Sequence, residues 1–61
     1  MQVVVYVDIC KKEIFSSKSL MVTLDLTENN DGRLFIYDTE KDEKYPIAIF
    51  NKGCWIYYRI I

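Results

Sequence analysis

The 61-residue chain contains no histidine. That absence removes the usual general base, the commonest metal ligand and the side chain that switches charge near neutral pH. An enzyme is not expected, and neither a metal nor a cofactor is implied. Ser16, Ser17 and Ser19 have no histidine to activate them and no glycine-rich elbow around them, so they read as a bend in the chain rather than as nucleophiles. Positive charge is not in excess either: 8 Lys and Arg stand against 9 Asp and Glu, a formal net charge of −1. Most nucleic-acid affinity rests on neutralising phosphates, so nucleic acid is an unlikely partner on this count. No apolar run reaches the roughly 18 residues of a membrane-spanning helix. The stretch Met1–Asp8 lacks the basic start and small-residue cleavage site of a secretory leader, so a cytoplasmic protein without membrane attachment is expected.

Cysteine is scarce. Cys10 and Cys54 show neither CxxC nor Cys/His spacing and read as small hydrophobes at strand ends. A disulfide stays open as an alternative, because antiparallel pairing of the first and last apolar runs would bring the two opposite one another. Ala, Gly, Pro and Arg together fill 6 positions, whereas Ile, Lys, Asn, Tyr and Phe fill 25. That bias follows AT-rich codons, common in phages, other viruses, mobile elements and low-GC bacteria.

Half of the chain (51 %) is apolar, which suits one small domain over residues 1–61. Surface scaling gives roughly 4,200 Å² exposed when folded against roughly 10,600 Å² extended. At about 60 % apolar and about 25 cal/mol per Å², burial supplies roughly 95 kcal/mol against an ordering cost of roughly 90. The domain is marginal on its own core, so a partner, a ligand or a cross-link would help it.

The dominant pattern is alternation. Leu20, Val22, Leu24 and Leu26 fall on one side, and Met21, Thr23, Asp25 and Thr27 on the other, as in a half-buried strand. Glu28–Gly32 is expected to reverse the chain into a hairpin; it lacks the twelve-residue spacing and final Glu of a calcium loop. The spacing predicts an all-β antiparallel meander of five strands, spanning 2–9, 13–27 (bent at the serines), 33–39, 44–50 and 54–61. The meander would form either a strongly curved sheet or a small barrel of the SH3-like or OB-like kind. Pro46, lacking an amide donor, belongs at the start or edge of its strand. Asp38, Glu40, Asp42 and Glu43 form an acidic cluster that reads as a solubilising tip, or as a dock for a basic partner surface.

An aliphatic inner face of Val3, Val5, Val7, Leu20, Val22, Leu24, Leu26, Leu34, Ile36, Ile47, Ile49, Ile56 and Ile60 leaves an aromatic remainder. Phe35, Tyr37, Phe50, Trp55 and Tyr57, with Arg59 beside them, are the candidate partner-binding residues, since aromatics and arginine bury large area while keeping a polar handle. Burial of several of them by barrel closure is the competing expectation. Together these features point to a non-enzymatic protein-binding module, a small phage or mobile-element accessory protein that inhibits or adapts a host protein. The alternatives are a structural homodimer pairing through its terminal strands, and a single-strand nucleic-acid binder that stacks bases on the aromatic face.

Overall fold

The computed structural model describes residues 1–25 and 32–61, so the expected 28–32 turn lies almost wholly outside the described residues. Valine-rich and aromatic runs become strands because branched and ring side chains pack well on a pleated surface. Among the described residues there are six: β1 (Gln2–Tyr6), β2 (Lys12–Ser16), β3 (Leu20–Asp25), β4 (Arg33–Asp38), β5 (Ala48–Phe50) and β6 (Tyr57–Ile60). They pair antiparallel as two three-stranded sheets, β2-β1-β6 and β3-β4-β5. The all-β class stands, but the five-stranded meander and the closed barrel do not. The 13–27 strand is divided in two, and the chain changes sheets at that point.

Local hydrogen bonds make this corner. The Ser17 hydroxyl accepts the Ser19 amide at 3.4 Å, the Thr39 amide donates to the Ser19 carbonyl at 2.9 Å, and the Ser19 and Thr39 hydroxyls bond each other. A serine that satisfies neighbouring backbone groups competes with the strand ladder, so the ladder stops there. The chain returns to the first sheet through residues 51–56. Gly53 turns there at φ 84°, and the Ile56 amide then donates to the Tyr6 carbonyl at 2.7 Å.

Register decides what is buried. Val3 and Val5 of the first sheet meet Leu20, Leu34 and Ile36 of the second, with Phe15, Phe50, Trp55 and Tyr58 packed against them. Phe15 and Phe50, one from each sheet, meet edge to face with ring centroids 6.1 Å apart. Two sheets packed face to face in this way give a disc, 28 × 28 × 14 Å. Its surface of 4498 Å² exceeds the roughly 4,200 Å² expected for the mass, because a disc exposes two broad faces.

The expected inner face and acidic tip are corrected at several positions, and Leu24 and Ile60, though in register with inward residues, are exposed at the ends of their strands. Leu34 pairs with Phe50 and Ile36 with Ala48, so Phe50 points inward, while Ile49 and the preceding Ile47 are exposed. Ile56 is exposed as well, since it precedes β6 and escapes the alternation. Asp38 is buried rather than part of an acidic tip: its carboxylate accepts the Glu40 amide at 3.1 Å, and its carbonyl accepts the Lys41 and Asp42 amides, each at 3.0 Å. It anchors the turn that leaves β4.

Gly53 isolates a backbone effect. A Cβ added there meets nothing within 4 Å, yet the left-handed conformation is costly for other residues. Gly53→Ala is expected to lower unfolding free energy by about 1 kcal/mol, and Gly53→Asn by less, as read from urea midpoints. Equal midpoints for Gly and Ala would refute it.

Candidate functional site

The six candidate partner-binding residues do not share a surface. Phe50 and Trp55 pack against the core. Phe35 and Tyr37 lie on the outer face of β3-β4-β5, and Tyr57 and Arg59 on the outer face of β2-β1-β6. The Trp55 indole N–H donates to the Gly32 carbonyl at 2.7 Å, tying the 51–56 connection to the start of β4. Trp55 sits inward because that connection is not a strand, so period-two reasoning gives it the wrong side.

The outer face of the second sheet is organised along its central strand. Alternation places Arg33, Phe35 and Tyr37 in a row. The Arg33 guanidinium lies over the Phe35 ring at 4.9 Å, and the Phe35 and Tyr37 rings are near-parallel with centroids 6.5 Å apart. Thr23 and Ile49 flank Phe35 in register, and Met21 stands across from Tyr37. Met21, Ile47 and Ile49 are exposed, Ile49 by 52 %. The result is a stripe of aromatic and aliphatic surface with Arg33 at one end, where Asp25 stands across from it in register.

The first sheet presents a different face. Lys12, Tyr6 and Tyr57 form one cross-strand row, and Ile14, Val4 and Arg59 the next. Val4 is only 4 % exposed although it points away from the core, flanked by Ile14 and Arg59. The Tyr6 and Tyr57 rings stack with centroids 4.4 Å apart and planes 15° from parallel. No carboxylate stands in either row.

Charge is divided between the two halves. Residues 1–19 and 51–61, which supply the first sheet, carry five cations and two acids, a formal +3. Residues 20–50, which supply the second, carry three cations and seven acids, a formal −4. The whole-chain value of −1 conceals this separation, because sequence order does not reveal which strands share a sheet.

A recess of about 210 Å³ opens beside the β1–β2 loop, lined by Tyr6, Ile9, Cys10, Lys11 and Lys12. The loop is held by its own backbone: the Val7 and Asp8 amides donate to the Lys11 carbonyl at 3.1 and 3.3 Å, and the Asp8 carboxylate accepts the Ile9 amide at 2.6 Å. Cys10 and Cys54 are both free and exposed, lying in the β1–β2 loop and the 51–56 connection rather than as buried hydrophobes at strand ends, and they are not cross-linked. Among the described residues no group of three or more Asp, Glu or Cys is placed to hold a metal ion, and no helix is long and apolar enough to cross a membrane. Comparison with family models, curated proteins and solved structures gives no match to this chain. Alternation in the terminal runs already puts Tyr6 and Tyr57 on an outer face; that the two rings stack, with Lys12 across from Tyr6, emerges only from the β1–β2 and β1–β6 register.

Proposed function

We propose that the protein is a non-enzymatic binding module that docks on another protein through the outer face of β3-β4-β5. It acts in the cytoplasm as a small accessory protein of phage or mobile-element type that inhibits or adapts a host factor. The observation that supports this reading is the Arg33–Phe35–Tyr37 row with exposed Met21, Ile47 and Ile49 beside it. Aromatics and arginine dominate the energetics of protein interfaces, and exposed apolar patches on small proteins commonly mark them. The formal −4 of this half selects a partner with a basic rim, which raises the association rate more than the affinity.

The test is capture from host lysate with the wild type and two variants, followed by sedimentation of the free protein. Phe35→Glu is expected to lose the partner, while Arg59→Glu on the other sheet keeps it. Loss at a central interface residue corresponds to about 2 kcal/mol or more, roughly thirty-fold in affinity. Retention of the same partner by Phe35→Glu would rule out this face. A protein that captures nothing and sediments as a tight dimer broken by Phe35→Glu would make the stripe a self-association surface instead.

A further inference from the structure

The recess beside Tyr6 lies on the other sheet and is unused by the protein-docking reading. Tyr57 covers one face of the Tyr6 ring, at 4.4 Å and near-parallel. In register, Tyr57 stands on one side of Tyr6 and Lys12 on the other. The other face of Tyr6 therefore looks toward β2 and its loop, where the recess is lined by Ile9, Cys10, Lys11 and Lys12. A flat group entering there would become the third member of a Tyr57–Tyr6 stack in a recess that Lys11 and Lys12 also line. Ile9, 91 % exposed, offers an apolar contact that has no partner within the fold.

Volume and charge narrow the occupant. A recess of about 210 Å³ is smaller than the roughly 300–1,000 Å³ of ordinary ligand clefts, so it suits one ring system rather than a large molecule. The half-molecule around it carries a formal +3, with Asp8 and Glu13 its only acids, and the Asp8 carboxylate is engaged by the Ile9 amide. Base-on-aromatic stacking together with backbone-neutralising cations is the chemistry by which single strands are held without sequence preference.

We propose that this recess binds a planar aromatic ring bearing an anionic group, namely a nucleotide, with the base stacked on Tyr6 and its phosphate held by Lys11 and Lys12. Arg59, one row further along the same carboxylate-free face, lies where the next phosphate of a strand would run. A free nucleotide and a nucleotide within a single strand share this chemistry; they differ in whether Arg59 contributes.

Cys10 gives the readout, because it lines the recess and is exposed. In a Cys54→Ser background, alkylation of Cys10 by iodoacetamide is followed by mass spectrometry with glutathione as the reference thiol. The probes are thymidine monophosphate, an oligothymidylate of about 12 nucleotides and inorganic phosphate, all at low salt. Either nucleotide probe is expected to slow Cys10 at least five-fold relative to glutathione, and phosphate is not. Lys11→Glu/Lys12→Glu, a change of two exposed residues, is expected to abolish the protection. Tyr6→Leu, which keeps apolar bulk but loses the ring face, is expected to weaken oligothymidylate binding by about ten-fold, with the far-ultraviolet spectrum unchanged. Arg33→Glu on the other sheet should leave it intact. If the oligomer binds more tightly than the monophosphate and that gain vanishes in Arg59→Glu, a strand is the ligand; equal binding with no effect of Arg59→Glu makes it a free nucleotide. No protection by either nucleotide, or equal protection by phosphate, would overturn the proposal.

Discussion

Leu34→Ala is expected to remove about 2–5 kcal/mol of unfolding free energy, the range for truncating a fully buried leucine. A chain of this length holds in total about 0.05–0.15 kcal/mol per residue, roughly 3–9 kcal/mol, so the loss is a large share of the whole and the urea midpoint should fall steeply. Leu34 has no exposed surface, sits on the central strand of its sheet between Leu24 and Phe50, and belongs to the cluster that joins the two sheets. A disc of two three-stranded sheets leaves little freedom to close the hole, so the cavity contribution adds to the lost transfer energy. Leu24→Ala is the internal comparison. Leu24 is on the same face and in register, but 41 % exposed at the end of the sheet, and its truncation should cost less than half as much. Urea titration followed by circular dichroism measures both. A loss below 1 kcal/mol for Leu34→Ala would show that the two sheets are not held by this contact.

The second large effect is expected at Trp55. Trp55→Ala removes an indole packed against the core together with the N–H that donates to Gly32, and should cost about 3 kcal/mol, within the range for large aromatic truncations. Trp55→Phe keeps part of the packing but leaves the Gly32 carbonyl without its donor, and should cost about 1 kcal/mol. The informative part is the contrast with binding: at a temperature where both variants remain folded, capture of the partner should be unchanged, because Trp55 sits on neither outer face. Stability unaltered but partner lost would reverse its assignment and return it to the interface.

How much was legible in the sequence follows from what each feature depends on. Strand identity was legible wherever alternation ran unbroken, as in Leu20–Asp25 and Arg33–Asp38, since a period of two is a local property. The serine corner was legible as a bend but not as a change of sheet, because whether a bent strand curls or divides depends on Thr39, twenty residues away. The phase of β5 was misread: Ile47 and Ile49 look like core and Phe50 like surface until the pairing of Leu34 with Phe50 fixes the register. One residue of slip exchanges the two faces of a strand. The candidate partner-binding set scattered for three reasons: the phase of β5 turns Phe50 inward, the non-strand connection turns Trp55 inward, and the division into two sheets separates Phe35 and Tyr37 from Tyr57 and Arg59. The cationic face around Tyr6 was hidden by the near-neutral total, since summed charge discards position.

The pairing of β1 also bears on the order in which the molecule assembles. β3, β4 and β5 are consecutive in the chain and need only short closures, whereas Val3 meets Phe15 twelve positions away but Ile60 fifty-seven positions away. Closing the longer loop costs about 1.4 kcal/mol more in chain entropy, and nothing repays it until Tyr57–Ile60 has reached the edge of β1. The second sheet and the β1–β2 hairpin can therefore form early, and docking of β6 is the late, rate-setting event. During that interval the β1 edge is unpaired, with valines on both sides, so conditions that slow the arrival of β6 leave the chain open to strand exchange between molecules.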